Sequence, residues 1–160
     1  MESRENLFKQ LDETVARLLH IYRNLANPEI MVYEVWTAKD VLSHITFWHE
    51  SFARNVSDLV HGIKPTPLKG RFIDLNQGGV DEMRQHSLDA VMARLEAAHK
   101  VIQENIRDPR LALIPYKKGS RDYTPEEHLE IVNEHIQSHL KDTICAIGQT
   151  HESRGSYVRN

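Results

Sequence analysis

Two histidines four residues apart, His135 and His139 in the segment VNEHIQSHLKD, have the spacing of a helical metal-binding pair. On a helix they lie about 40° apart around the axis and one turn apart along it, so both imidazoles can face one ion. The pair alone carries little weight, because ten histidines among 160 residues would give roughly 0.6 such pairs by chance. A third nitrogen has to come from another element. His44 is the best candidate, since it stands beside the apolar positions Val41, Ile45 and Trp48. Three imidazoles with a free position make an open site of the catalytic kind rather than a closed structural one. Such a site polarises a carbonyl, lowers the pKa of bound water toward about 7, or stabilises a thiolate. Three half-exposed histidines on helix faces are the plain alternative.

Other residues make weaker candidates. Asp142 follows His139 by three residues on the same side of a helix and can orient a ligand imidazole, although such an Asp more often faces water. His128, seven residues before His135, shares that face and can approach the metal or a substrate, but a surface histidine in a first helical turn is the expectation for it. Cys145 is a poor angular match to His139 and is expected to be a small buried side chain. Trp48 and Phe52 follow His44 by one and two turns and either wall a pocket or belong to plain core. Lys117, Lys118 and Arg121 read as a solvated loop, with attraction of an anionic substrate as the other reading. No residue is marked as a general base.

Four long helical patterns must position these groups. Residues 3 to 25 place Leu7, Leu11, Val15, Leu18, Tyr22 and Leu25 at three- and four-residue steps before NLANPE breaks the pattern. The second helix opens at Thr37, which caps it with Asp40 in a capping-box arrangement, and its stripe is Val41, Ile45, Trp48, Phe52, Val56 and Leu59. Residues 61 to 83, with two prolines and a Gly-Gly pair, read as a long connection without regular structure. The third helix carries Leu88, Val91, Leu95, Ala98, Ile102 and Ile106. The fourth opens at YTPEE, with Thr124 as cap, Pro125 in the first position and Glu127 closing a capping box. Leu129, Val132, Ile136, Leu140 and Ile147 follow, Gly148 is the expected stop, and residues 149–160 are expected to form a flexible tail.

Four such helices imply an all-α four-helix bundle over residues 1–148. A 23-residue link between the second and third helices spans roughly 70 Å when extended, against roughly 36 Å for a helix of bundle length, so a long crossover is free to form. His44 lies about 10 Å from the start of its helix and His139 about 12 Å from the end of its own, so the two are level if those helices run antiparallel.

Composition limits the function classes. A formal charge of -3 and a pI near 6.4 give no general basic surface for nucleic acid. A single cysteine excludes an intrachain disulfide, and MESRENLFKQ lacks the apolar core of a secretion signal, which points to a cytoplasmic protein. No apolar run approaches the roughly 18 residues of a membrane span.

The segments WTAKDVLSHITFWHE and IPYKKGSRDYTPEEHLEIVNEHIQSHL, and the separation between them, resemble the DinB and YfiT-like family of metal-dependent four-helix bundles. The resemblance covers nearly the whole chain. It implies an up-down-down-up bundle in which one histidine of the second helix and a His-x-x-x-His pair of the fourth hold a divalent metal. Carried over by position, these are His44, His135 and His139. Zinc is the first expectation for the metal and nickel the second. The stretch AKDVLSHITFW also resembles the ClbS/DfsB branch, which opens strained rings of reactive natural products without metal. The resemblance implies a hydrolase or a transferase that uses a low-molecular-weight thiol, acting on a small molecule. A non-catalytic protein that sequesters a small molecule or a metal is the alternative. Relatives often form dimers, which implies a homodimer without saying which helices meet; Phe8, Leu19 and Met92, apolar side chains outside the narrowest core stripes and read as exposed, add slight support.

Overall fold

The computed structural model describes the backbone of residues 2–159 and the side chains of residues 2–149. It is all-helical, with α1 Arg4–Arg23, α2 Ala38–Val60, α3 Phe72–Met83, α4 Leu88–Asn105 and α5 Pro125–Arg159. Among the described residues there is no strand, only the isolated bridge pairs Met31–Thr37, Leu68–Lys117 and Ile114–Tyr123.

Helix starts follow the local chemistry. Thr37 Oγ1 accepts from the Asp40 amide at 3.1 Å while Asp40 Oδ2 accepts from the Thr37 amide at 3.0 Å, which satisfies two amides otherwise left over at the start of α2. Thr124 and Glu127 do the same for α5 at 3.1 and 3.0 Å. Ser3 and Ser87 cap α1 and α4. The end of α2 needs Gly62, whose φ of 71° is costly for a residue with a Cβ.

The apolar stripes meet in one core. Leu7, Leu11, Val15, Leu18 and Tyr22 of α1 are buried with Val41, Ile45, Phe52 and Val56 of α2, Val91, Leu95 and Ile102 of α4, and Leu129, Ile136 and Leu140 of α5. Each fully buried aliphatic side chain contributes roughly 1.5–3 kcal/mol. The most extensive helix contacts are α2 with α4 and α1 with α5, and α3 lies against α2. Arg4 ties the start of α1 to the end of α4 and the start of α5, with Nε on Glu126 at 3.0 Å and Nη1 on the carbonyls of Ile106 and Asp108 at 3.3 and 3.0 Å.

Three expectations are corrected. The connection over 61–83 contains a helix, α3, which is amphipathic only at its C-terminal half, where Gly79, Val80 and Met83 are buried. Its two glycines suggest a loop, but Gly79 serves close approach: a Cβ there would stand 2.5 Å from the Phe47 ring. The last helix passes through Gly148 and extends to Arg159; the flexibility expected of residues 149–160 lies outside the described side chains. Phe8, Leu19 and Met92 are buried within the chain at 2, 7 and 5 % exposure, so they are core and offer nothing to a dimer face.

Candidate metal centre

His44 sits in the second turn of α2, and His135 and His139 sit one turn apart on α5. The fold brings all three together. His44 Nε2 lies 3.1 Å from His135 Nε2, and His139 Nε2 lies 3.0 Å from His135 Nε2. The ring planes are close to mutually perpendicular, at 74°, 84° and 84°, with centroids 4.5 to 5.0 Å apart. Among the described residues this is the group of three ligand atoms that converges within 4.8 Å and can hold a metal ion. Nitrogens bonded tetrahedrally at about 2.0–2.1 Å stand about 3.3–3.4 Å apart, so the observed spacing is close to that of a three-nitrogen face.

Electrostatics keeps the imidazoles neutral, as ligation requires. Burial, then the neighbouring His135 and His139, lowers the pKa of His44 to about 3. Burial and His139 lower His135 to about 4. Burial also lowers His139, with the Asp142 carboxylate pulling the other way.

The tautomer of His139 follows from its neighbours. Tyr33 donates its only hydroxyl proton to Asp142 Oδ2 at 2.6 Å, because a carboxylate can only accept. The same phenolic oxygen, 2.8 Å from His139 Nδ1, must then accept from that ring, so Nδ1 carries the hydrogen and Nε2 presents a lone pair. Asp142 thus orients His139 through Tyr33 rather than by a hydrogen bond of its own. Burial and the bond to Asp142 raise the Tyr33 pKa, so the phenol stays protonated. Tyr33 comes from the segment between α1 and α2, where no periodicity marks it. His44 differs: its Nδ1 is buried with no hydrogen-bond partner, and its ring packs at 5.0 Å against Trp36.

Beside His135 lies a small, partly enclosed cavity of about 20 Å³, lined among others by Trp48, His49, Tyr116, His128 and His135. That volume suits about one water molecule. Trp48 stacks on Tyr116 with centroids 5.2 Å apart, and its Nε1 donates to Asn76 of α3 at 2.7 Å, so α3 and the segment before α5 close the site on this side. Trp48 therefore walls the cavity, while Phe52 stacks on His128 at 4.1 Å.

His128 is not a surface residue. It is 2 % exposed, both ring nitrogens lack partners, and burial lowers its pKa to about 4. A first-turn position suggests exposure, but Phe52, Tyr116 and Tyr123 surround this ring. Cys145 is exposed, contrary to its expected burial. Lys117 lies over the Phe72 ring and Arg121 pairs with Glu127 at 2.8 Å, so both are engaged within the loop and its neighbours. His49 and His99, which the sequence does not single out, are buried and hydrogen-bonded to each other at 3.1 Å.

A family model described as the DinB superfamily matches residues 10–142. No curated protein matches the chain. Among solved structures, the mycothiol-dependent maleylpyruvate isomerase superposes with a TM-score of 0.72 at 13% identity, covering 89% of this chain and 61% of that one. An uncharacterised protein from Escherichia coli UTI89 superposes with a TM-score of 0.63 at 12% identity, covering 89% of this chain and 95% of its own. At these identities the likeness is one of fold. This chain spans about three fifths of the isomerase's length, 61%.

Proposed function

The chain belongs to the DinB superfamily, and from that premise we propose that it is a metal-dependent enzyme in which His44, His135 and His139 hold one divalent ion and a low-molecular-weight thiol takes part in converting a small molecule. The convergence of three Nε2 atoms, 3.1 and 3.0 Å apart in sequence around His135, carries this reading. Zinc is the first choice and nickel the second, since imidazole suits both. A divalent ion in such a site polarises a carbonyl and lowers the pKa of a water or thiol that it binds.

The chain's own residues supply the rest. Tyr33 and Asp142 hold His139 in the Nε2-basic tautomer. Trp48 and Tyr116 keep bulk water from the cavity beside His135, which strengthens electrostatic interactions inside. Thiol transfer is our first choice over hydrolysis. That the similarly folded isomerase is mycothiol-dependent supports the same choice. The four long helices α1, α2, α4 and α5 are read as an up-down-down-up bundle, and the assembly as a homodimer.

Elemental analysis of untagged protein, repeated on His44→Ala, tests the site. The expected result is close to one equivalent of metal in the wild type and a large loss in the variant. Equal metal in both would remove the triad from consideration. Thiol-dependent consumption of an electrophile, such as a haloaromatic, then separates a catalyst from a sequestering protein, which would only saturate stoichiometrically.

A further inference from the structure

Three polar side chains that the metal site does not use cross the core between α1, α4 and α2. Asp12 on α1 is half exposed, with 53% of its side chain accessible. His99 on α4 places Nε2 2.9 Å from Asp12 Oδ1 and Nδ1 3.1 Å from Nε2 of His49 on α2. The two imidazoles are stacked at 22° with centroids 5.3 Å apart. His49 is 2 % exposed and its ring lines the cavity that also touches His135.

The hydrogens in this series can be assigned. The Asp12 carboxylate accepts, so His99 Nε2 carries a hydrogen and, in a neutral ring, Nδ1 is bare. His49 Nε2 must then donate to His99, which leaves His49 Nδ1 as a lone pair. That atom is buried and has no partner. Burial first, then His99 and His128, keeps His49 neutral, with a pKa lowered to about 3.

As a purely structural device the series is poor. A buried polar network left incomplete at one end is less stable than apolar packing. Nor is it a second metal site: each ring nitrogen contacts only the next residue in line, and no further converging group of ligand atoms occurs among the described residues. A linear order of donors from the surface to an unpartnered base is what proton movement requires.

We infer that Asp12, His99 and His49 form a proton path between solvent and the cavity beside the histidine triad, with His49 Nδ1 as the base at its inner end. A protic molecule in the cavity gives its proton to His49 Nδ1 and is left as the anion. The Nε2 proton of His49 passes to His99 Nδ1, and the Nε2 proton of His99 passes to the Asp12 carboxylate and on to water. Both rings end in the opposite tautomer, and the reverse sequence returns a proton to the product and resets them. The protic molecule is a water, the size that the cavity of about 20 Å³ suits, and the inference rests on the proposed function only for what that water serves. His128, Tyr116 and the triad residue His135 are the other titratable groups that line this cavity with His49, and His128 adds to the lowering of the His49 pKa.

Nuclear magnetic resonance of the metal-free protein tests the path without reference to turnover or metal. Long-range nitrogen–proton correlations are expected to show His49 and His99 both protonated at Nε2. A hydrogen on His49 Nδ1 would overturn the path. Exchange of the His49 Nε2 proton with water gives the second reading. If the proton leaves through His99 and Asp12, Asp12→Asn, a surface change that keeps an oxygen acceptor, slows that exchange at least about 10-fold, as loss of a positioned acid–base group does. A structural role gives the opposite sign, since loosening the network speeds exchange. Unchanged or faster exchange in both Asp12→Asn and His99→Gln would therefore refute the path. Metal analysis of His44→Ala fails or succeeds independently of these spectra.

Discussion

The phenolic oxygen of Tyr33 stands 2.8 Å from Nδ1 of His139 and fixes which nitrogen of that ring turns a lone pair toward His135. A Tyr33→Phe protein keeps the ring packing at 5.7 Å from His139 but loses the acceptor for Nδ1–H and the donor for Asp142. Metal affinity is expected to fall by about 10–100-fold, the usual loss when a partner of a ligand imidazole is removed. Competition with a chromophoric chelator measures it. Affinity equal to wild type would show that Tyr33 does not orient the ligand.

Tyr33 also marks where reading the sequence stops. His44, His135 and His139 are legible because helical spacing places two on one face and the third beside an apolar stripe, and the resemblance adds the pairing of helices. Thr37 with Asp40 and Thr124 with Glu127 are legible because capping is local. Tyr33 lies outside any periodic segment, and the meeting of His49 with His99 depends on how α2 packs against α4, which no spacing encodes. The helix α3 was hidden by Gly78 and Gly79, because glycine signals a turn whether it serves chain reversal or, as against Phe47, close approach.

Folding of the metal-free protein is expected to weaken as pH falls. Burial lowers His44 and His49 to about 3 and His128 and His135 to about 4, below the roughly 6.5 of an unfolded chain. A folded pKa below the unfolded one means that the unfolded chain binds more protons. Stability is therefore flat above about pH 6.5 and declines from there toward pH 4, by on the order of 1 kcal/mol per pH unit for each buried histidine. Urea unfolding at a series of pH values reads it, and metal-loaded protein should hold its stability to lower pH. A constant urea midpoint between pH 7 and 5 in the metal-free protein would contradict the burial of these rings.

Gly79→Ala is expected to destabilise although alanine is the better helix former. The added Cβ meets Phe47 Cγ at 2.5 Å and Phe47 Cβ at 2.9 Å, and the second of these is fixed to the backbone of α2. Helix α3 must move outward, at a cost of about 1–3 kcal/mol, against a propensity gain of about 1 kcal/mol. The same shift disturbs the Asn76 bond to Trp48, so tryptophan fluorescence should change with the urea midpoint. A stabilised protein with unaltered fluorescence would mean that α3 does not pack closely on α2.

His128→Phe is expected to stabilise the metal-free protein. Both nitrogens of His128 are buried without partners, and each such group costs roughly 1–3 kcal/mol of desolvation. The phenylalanine ring keeps the stack on Phe52, now 4.1 Å and 9° from parallel, and the adjoining cavity of about 20 Å³ takes the small extra volume. A gain of about 1 kcal/mol or more in urea unfolding at pH 7 is the expected outcome. At pH 5 the gain should be larger, because the substitution also removes a group whose protonation favours the unfolded chain. If the cavity receives substrate, the more stable variant loses activity, the usual exchange at a functional site. Lower stability at both pH values would show instead that His128 has polar partners and belongs to the packing alone.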